Sequence, residues 1–453
     1  MSIPDLIRKA FSGDCRVSVF GLGYVGLALT AVYLRKGLKV VGVDKDSGKV
    51  MSIASFSFSF LEKGIEEAVH SGLSSGLLKL TTNWLEYSGE ACINVITVPV
   101  YVDWLTKEVS YDALLQTADI IGKGLKRGDL VVLESSVPPG TTEEVLKPRL
   151  EEVSGLTAGR DFYLAYSPER IYVGRALQDI ESNYPKVVAG INDSSTELAA
   201  EFYSRIALKG VVKVSSVRTA EFSKLVEGVY RDVNIALANE LALLSELLGV
   251  DYYEVRNAAN SQPYCHLHLP GPGVGGPCIP VYPYFVNKKA LDKGFVPRLI
   301  RLAREINELM PHEIVRRVEL FLRDYDLTLD RVSVAVLGVA FRGDTDDARL
   351  SPAREVIALL RARGCSDIVA HDPLVPKDQV LELLRVPLTR DLHAALEERD
   401  VVIVLTKHSE YSKLTTEDLI RLSNNPHVLI FDSINTIYNS NNYDRIRKLG
   451  VSR

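Results

Sequence analysis

The sequence predicts an α/β protein: two doubly wound parallel-sheet domains joined by a helical middle that carries one long spine helix. Three observations lead there. Short β-branched runs alternate with helix-length segments through the first two hundred residues, a Gly-rich turn follows the first run, and the alternation restarts after residue 330. Such alternation implies right-handed βαβ units and a parallel sheet covered by helices on both faces.

In chain order, the runs expected as strands are residues 16–20, 39–43, 92–97, 130–134, 162–166, 186–189 and 211–214, and the doubly wound domain is expected to span 1–205, with the last run just beyond it. From 219 to 248 there is no proline. Phe222, Leu225, Val226, Val229, Val233, Leu237, Leu241, Leu244 and Leu248 recur there at helical spacing before a stop at Gly249. Thirty residues of helix reach about 45 Å, more than one domain usually holds. This helix is therefore expected to be a spine between lobes or a subunit contact. Residues 296–322 give a second helix behind a Gly/Pro-rich loop, and the helical middle spans 206–325. The last domain, 326–453, repeats the rhythm with strands at 332–339, 368–371, 401–405 and 428–431 and a helix at 352–363.

Composition narrows the class. The 453 residues are 46% hydrophobic and 25% charged, and 53 Lys and Arg against 58 Asp and Glu leave a net charge of −5. That balance gives no general attraction to nucleic acid or to an anionic membrane. The longest apolar runs, 332–341 and 401–405, are far shorter than the ~18 residues of a spanning helix. The N-terminal segment lacks the apolar core of a signal peptide. Five scattered cysteines, Cys15, Cys92, Cys265, Cys278 and Cys365, show no metal-ligand spacing. They are expected to be thiols of a cytoplasmic protein without disulfides. Cys265-His266-Leu267-His268 has no distant partners to complete a tetrahedral site, so no metal is expected.

Chemistry is concentrated at three places. Gly21-Leu22-Gly23-Tyr24-Val25-Gly26 follows a strand and opens a helix. In a Rossmann-like unit the first glycine makes the tight turn, the second lets backbone approach a pyrophosphate, and the third packs helix on strand. The phosphates lie at the helix N-terminus, whose N–H groups and dipole favour anions. Asp44 ends the second strand. A carboxylate there accepts hydrogen bonds from ribose hydroxyls and repels a 2′-phosphate, so NAD is expected over NADP. The second place is the run 270–280, PGPGVGGPCIP, whose glycines and prolines surround Cys278. That thiol reads equally as a nucleophile or as a packing cysteine. As a nucleophile, a thiol of ordinary pKa about 8.5 needs a nearby cation or helix N-terminus. Lys224, on or beside the apolar stripe of the long helix, is a candidate for that cation, or else a snorkelling surface lysine. Gly228 shares its face four residues on. A helical glycine costs about 1 kcal/mol against alanine, so a close approach is expected there.

These motifs are joined by Tyr166-Ser167-Pro168-Glu169-Arg170, Glu221-Phe222-Ser223-Lys224-Leu225, the stretch 234–240, Gly338-Val339-Ala340-Phe341-Arg342 and the stretch 347–352. In their order and spacing, over most of the chain, the sequence resembles the UDP-glucose/GDP-mannose dehydrogenase family of nucleotide-sugar 6-dehydrogenases. The 271–280 loop and the SPER stretch resemble its UDP-N-acetylhexosamine branch more than its UDP-glucose branch. The resemblance implies NAD as cofactor, a UDP-sugar as substrate and a homodimer paired through the central helices. It implies a four-electron oxidation of the sugar C6 hydroxyl to a carboxylate, passing two hydrides to two NAD⁺. Cys278 matches the nucleophile that captures the intermediate aldehyde as a thiohemiacetal, later oxidised to a thioester and hydrolysed. Lys224 matches the lysine that stabilises the developing oxyanion, and Glu169 a glutamate near the catalytic water.

Other positions carry over singly. Tyr24, Val25, Asp44, Ser136 and Arg349 match cofactor contacts, alongside Gly21, Gly23 and Gly26; Ser136 stands where threonine is more usual. Arg170, Ile171, Lys224, Arg231 and Gly275 match substrate-holding positions. Phe341 and Arg342 match the C-terminal contact with the nucleotide sugar, Arg342 replacing a lysine while keeping the charge for the diphosphate. The length of 262–270 favours UDP-N-acetylmannosamine, with UDP-N-acetylglucosamine next.

Two helper positions depart from the family. Tyr282 stands four residues after Cys278, where Asp is usual, and Gly228 four residues after Lys224, where Asn is usual. Val98 replaces a common threonine beside Thr97, and Tyr264 replaces an arginine of the mannosamine enzymes. Two readings stay open. If 228 and 282 face each other, the larger residue and the smaller one compensate, and the phenol and a water take over the lost hydrogen bonds. Otherwise hydrolysis is crippled, and the chain is a slow enzyme or a nucleotide-sugar binder. A UDP-glucose 6-dehydrogenase and a simple NAD-dependent hydroxyacid dehydrogenase remain as alternatives; the second needs neither the last domain nor the Cys278 loop. His371 and His408 are expected to serve packing or hydrogen bonding at strand ends.

Overall fold

The computed structural model describes residues 3–58, 62–104, 106–376 and 385–451. The chain gathers into two compact units, Met1–Val226 with Tyr284–Gly294, and Glu227–Pro283 with Phe295–Arg453. The long helix, Val217–Leu248, starts in the first and continues in the second. It ends as the sequence implies, at Gly249 in the left-handed region with φ +74.

The first unit is built on β1 (Arg16–Phe20), β2 (Val40–Val43), β3 (Leu78–Thr81), β4 (Ala91–Ile96), a small hairpin of β5 (Tyr101–Val102) and β6 (Val109–Ser110), then β7 (Leu130–Leu133), β8 (Tyr163–Tyr166), β9 (Lys186–Gly190) and β10 (Val211–Lys213). Its eight-stranded sheet runs β10-β9-β8-β7-β4-β1-β2-β3. β2, β4 and β7 are buried at every position, the signature of strands covered on both faces. The Tyr24–Arg35 helix buries every residue from 26 to 34, because it lies between this sheet and the rest of the core. β3 escapes a pattern search because LKLT is short and half polar. The sheet is parallel except that β9 pairs antiparallel with β8. Between those two strands the chain makes only a loop and short helical turns rather than a full crossover.

One expectation fails. Cys15 and Cys92 form a disulfide, Cα to Cα 5.9 Å, while Cys265, Cys278 and Cys365 are free. β1 and β4 are neighbours, and their register sets Arg16 beside Ala91, which brings the two cysteines together. A separation of 77 residues hides that pairing from any spacing rule.

The second unit repeats the scheme with β11 (Ser333–Leu337), β12 (Asp367–His371), β13 (Leu388–Thr389), β14 (Val401–Val404), β15 (Leu429–Asp432) and β16 (Ile446–Lys448), ordered β13-β12-β11-β14-β15-β16 and parallel throughout. β13 and β16 are short edge strands that no alternation announces. The Arg298–Arg323 helix packs Met310, Ile314, Val315, Val318, Phe321 and Leu322 into the same core as β11 and the Pro352–Ala362 helix. Among the described residues no helix is long and apolar enough to cross a membrane.

The disulfide closes a 77-residue loop, and restricting a loop of that size in the unfolded chain stabilises by up to about 4 kcal/mol. Cys15→Ser is therefore expected to lower the thermal unfolding midpoint clearly under oxidising conditions. An unchanged midpoint would count against the bond.

Candidate functional site

Both sheets reverse strand order once, and at such a switch point the carboxyl ends of neighbouring strands open a crevice for ligands. In the first unit the reversal lies at β1, between β2 and β4. Gly21 follows β1 with φ +96. A Cβ on Gly26 would lie 1.9 Å from the Gly21 carbonyl oxygen, whereas one on Gly23 would meet nothing within 4 Å. Gly26 is thus required by packing, and Gly23 leaves room for a phosphate. No side chain caps the Tyr24–Arg35 helix, which suits an anion at its N-terminus. Val25 packs against the core, and the Tyr24 hydroxyl accepts from Gly174 N at 2.8 Å. Asp44 takes Leu22 N at 2.8 Å and the Lys49 ammonium at 2.8 Å on one oxygen, and Asp46 N at 3.0 Å on the other. Burial raises its pKa, but the Lys49 hydrogen bond and the two amides outweigh this and leave it below the ordinary value. The donor set fits a dinucleotide: open backbone at Gly23, an uncapped helix and an ionised carboxylate at the end of β2.

Across the sheet from Asp44, Ser136 follows β7, and its neighbour Ser135 donates to the Val98 carbonyl at 2.6 Å. The Thr97 hydroxyl, beside Val98, is used within the β1 turn: it donates to the Phe20 carbonyl at 2.9 Å and to that of Gly21 at 2.8 Å. Past β8, Glu169 is nearly buried between Arg170 N at 2.8 Å and the Lys186 ammonium at 2.5 Å. Lys186 also donates to Glu134 at 2.6 Å, and Tyr203 closes on Glu134 at 2.5 Å. Burial, with Glu169 adding, pushes the Glu134 carboxyl well up; Lys186 opposes it. Arg170 donates to the Pro185 carbonyl and lies over the Tyr184 ring at 5.0 Å, while Ile171 packs on the core. On the long helix, half-buried Lys224 follows Glu221, which accepts from Gly140 N at 2.5 Å and from Thr142 N at 2.8 Å. Burial lifts the Glu221 pKa to about 7. Neither Lys49 nor Lys186 is marked by spacing, since each matters through a partner on another element.

The second switch point lies at β11, between β12 and β14. Gly338 follows β11 with φ +95, and Asp372, ending β12, accepts from Val339 N and Ala340 N at 2.8 Å each. The layout repeats that of Gly21, Leu22 and Asp44. Here the carboxylate is sealed from solvent and faces His408 at 3.2 Å; burial raises its pKa, but His408 and the amides bring it down to about 2. His371 bonds the Tyr411 hydroxyl at 2.7 Å, so both histidines serve strand-end hydrogen bonding as expected. The residues after Gly338 reach the Gly/Pro loop. A Cβ on Gly275 would stand 2.7 Å from the Leu350 carbonyl and 2.8 Å from Phe341 Cβ, and one on Gly276 2.7 Å from the Phe341 ring. Gly276 N donates to the Arg349 carbonyl at 2.9 Å, and the Arg349 guanidinium pairs with Asp347 at 2.6 Å. Cys278 is exposed at the end of this loop, and its carbonyl accepts from Tyr282 N at 3.0 Å.

Residues 228 and 282 do face each other. A Cβ on Gly228 would stand 2.3 Å from Tyr282 Cδ2, and the Tyr282 ring is buried. The glycine is the notch that the tyrosine fills.

Residues 15–207 match the NAD binding domain of the UDP-glucose/GDP-mannose dehydrogenase family, 218–309 its central domain and 335–439 its UDP binding domain. The chain belongs to the UDP-glucose/GDP-mannose dehydrogenase family. It is similar to the UDP-N-acetyl-D-mannosamine dehydrogenase of Methanocaldococcus jannaschii, 33% identical over 89% of this chain and 88% of that one. It is similar to the enzyme of the same name from Pyrococcus horikoshii, 34% identical over 93% and 96%. The solved structure of the Pyrococcus protein superposes with a TM-score of 0.88, at 32% identity, over 96% of this chain and 99% of that one. An NDP-N-acetyl-D-galactosaminuronic acid dehydrogenase from Ralstonia nicotianae is 33% identical over 91% and 95%. The chain is thus an NAD-dependent nucleotide-sugar dehydrogenase, an oxidoreductase with NAD as its expected cofactor.

Within this dehydrogenase the predicted site residues divide between the units. Gly21, Gly23, Tyr24, Val25, Gly26, Asp44, Ser136, Glu169, Arg170, Ile171 and Lys224 belong to the first; Arg231, Gly275, Cys278, Phe341, Arg342 and Arg349 belong to the second. Direct packing joins Gly275 to Phe341 and the Gly276 amide to Arg349.

The notch predicts a coupled pair. Gly228→Ala should destabilise by about 1–3 kcal/mol through overpacking against Tyr282. With Tyr282→Ala present it should be neutral or stabilising, since alanine is the better helix former by about 1 kcal/mol. A denaturation double-mutant cycle measures this, and equal effects in both backgrounds would refute the contact.

Proposed function

We propose that the enzyme oxidises the C6 hydroxyl of a UDP-N-acetylhexosamine, UDP-N-acetylmannosamine before UDP-N-acetylglucosamine, to the uronic acid through a covalent bond to Cys278. One observation carries this reading: an exposed thiol ends a loop whose glycines are packed, in one unit, on the Phe341 turn of the UDP binding domain. A hydroxyacid dehydrogenase has no use for such a loop. The relatives named for N-acetylhexosamine derivatives favour the amino-sugar substrate over UDP-glucose.

In the proposed mechanism, Phe341 and Arg342 hold the nucleotide sugar, Arg342 at its diphosphate, and Arg170, Ile171, Arg231 and Gly275 hold the rest of the substrate. Gly21, Gly23, Tyr24, Val25, Gly26, Asp44, Ser136 and Arg349 hold NAD⁺, which supplies a hydride acceptor when bound. Lys224 lies four residues before Gly228 on one helix, so both belong to the same helical face. Its ammonium stabilises the C6 alkoxide and then the oxyanion. The Cys278 thiolate adds to the C6 aldehyde, giving a thiohemiacetal. The first hydride leaves the C6 alkoxide for one NAD⁺ to give that aldehyde, and loss of a second hydride from the thiohemiacetal, to a second NAD⁺ bound in place of the first, gives the thioester. Glu169, held by Lys186, orients the water that breaks the C–S bond, returning the thiol and releasing the carboxylate. Tyr282 fills the notch at Gly228, so the larger and the smaller residue compensate in space; with the Tyr282 phenol taking over the hydrogen bonds of the usual helpers, this favours an active enzyme over an inert binder.

We further propose a homodimer paired through the long helix. Tyr230, Leu237 and Leu244, seven residues apart, are 52%, 44% and 44% exposed, an apolar stripe that a second copy would cover.

The test is stoichiometry. UDP-N-acetylmannosamine, UDP-N-acetylglucosamine and UDP-glucose are each incubated with NAD⁺. We expect two NADH per uronic acid from an N-acetylhexosamine, and Cys278→Ser forming no acid. Full acid formation by Cys278→Ser would establish a reaction without covalent capture, and no NADH from any sugar would leave a binder.

A further inference from the structure

Asn239 and Asn307 take part in none of the steps above, yet both are among the most buried polar side chains of the second unit, at 0% and 1% exposure. Gly271 N donates to Asn239 Oδ1 at 2.9 Å, and Asn239 Nδ2 donates to Asn307 Oδ1 at 3.0 Å. Asn307 Nδ2 in turn donates to Asp232 Oδ1 and to the Asp232 carbonyl, both at 2.9 Å. Arg304 Nη1 reaches the same carboxylate oxygen at 2.6 Å. Every amide in this series points its N–H toward Asp232. The result is an oriented chain running from the loop backbone to a buried anion.

Hydrogen bonds aligned in this way polarise one another where water is excluded, and a broken link strands a buried donor or acceptor. The chain starts at Gly271, the beginning of the run that leads to Cys278. Gly273, with φ +130, brings that run against the Asn307 backbone; a Cβ there would lie 3.2 Å from its carbonyl oxygen. At the other end of the run the Gly276 amide is held by Arg349. Two anchors, one at each end, thus set the register of the residues that deliver the thiol.

We propose that Asn239, Asn307 and Asp232 are positioning residues for the nucleophile, acting on Cys278 through the Gly271 amide. The proposal deepens the covalent reading of Cys278 and rests on it for the kinetic consequence alone. Among the described residues the ion pairs of this series join Asp232, Arg304 and Glu308, the last 3.5 Å from Arg304 Nε.

Asn239→Asp makes the direction of the chain visible. A protonated carboxyl accepts from Gly271 and donates to Asn307, reproducing the native bonds. An ionised one sets a lone pair against Asn307 Oδ1 and a second negative charge near Asp232. Burial and the nearby Asp232 carboxylate raise the pKa of the new carboxyl above the ordinary range, so we expect kcat of Asn239→Asp to be close to wild type at about pH 5.5 and to fall about 10²-fold below it by about pH 8, with KM for NAD⁺ unchanged. Amide hydrogen exchange at residues 271–276 should quicken over the same range, while Asn239→Leu should lose kcat and protection at every pH. A wild-type pH profile in Asn239→Asp, or native exchange in Asn239→Leu, would overturn the proposal. If Asn239→Asp fails to fold, Asn239→Ser, too short to span Gly271 and Asn307, carries the exchange comparison. Should the wild type oxidise no UDP-sugar, the covalent reading falls, and the exchange result still decides the positioning.

Discussion

Glycine at 275 and 276 lets a loop lie closer to the Phe341 turn than any side chain would permit, and the placement of Cys278 follows from that approach. The loop has little apolar surface of its own to bury. It is held by backbone amides, at Gly271 on Asn239 and at Gly276 on Arg349, and by the close fit of Phe341 and Pro352. The thiol at its end is exposed on a backbone tied at two points, the arrangement that the proposed nucleophilic capture calls for. The same fit explains why Cys278 belongs to the unit with the UDP binding domain.

The two switch points show one backbone device put to two uses. At each, a glycine with strongly positive φ follows the central strand, and an aspartate from the next strand takes the turn's amides. Asp44 keeps company with a half-exposed lysine, at the edge of a turn whose backbone is open at Gly23. Asp372 is sealed behind His408, and its second oxygen takes the Leu374 and Val375 amides. The difference lies in the neighbours and not in the motif, which is why a Gly-rich turn alone is weak grounds for a cofactor.

Much of this was legible in the sequence. The β1 strand, the long helix and its stop at Gly249, the Gly21 turn and the close approach at Gly228 all follow from local periodicity or from the cost of a glycine in a helix. What escaped is non-local. The Cys15–Cys92 bond needs two strands to be neighbours, Lys186 matters because two glutamates converge on it, and Asn239 because a loop amide ends there. The short edge strands β3, β13 and β16 carry too few residues for a period to show. Residues 228 and 282 are the instructive case: their compensation was conditional on facing each other, and only three-dimensional structure meets the condition.

The central claim is that carbon bonds to Cys278 sulfur during turnover. Rapid acid quench of the enzyme with UDP-N-acetylmannosamine and NAD⁺, followed by peptide mass spectrometry, tests it directly. The account predicts a sugar-nucleotide adduct on the peptide containing Cys278, absent when NAD⁺ is omitted. Steady production of uronic acid with that peptide unmodified at every quench time would contradict it.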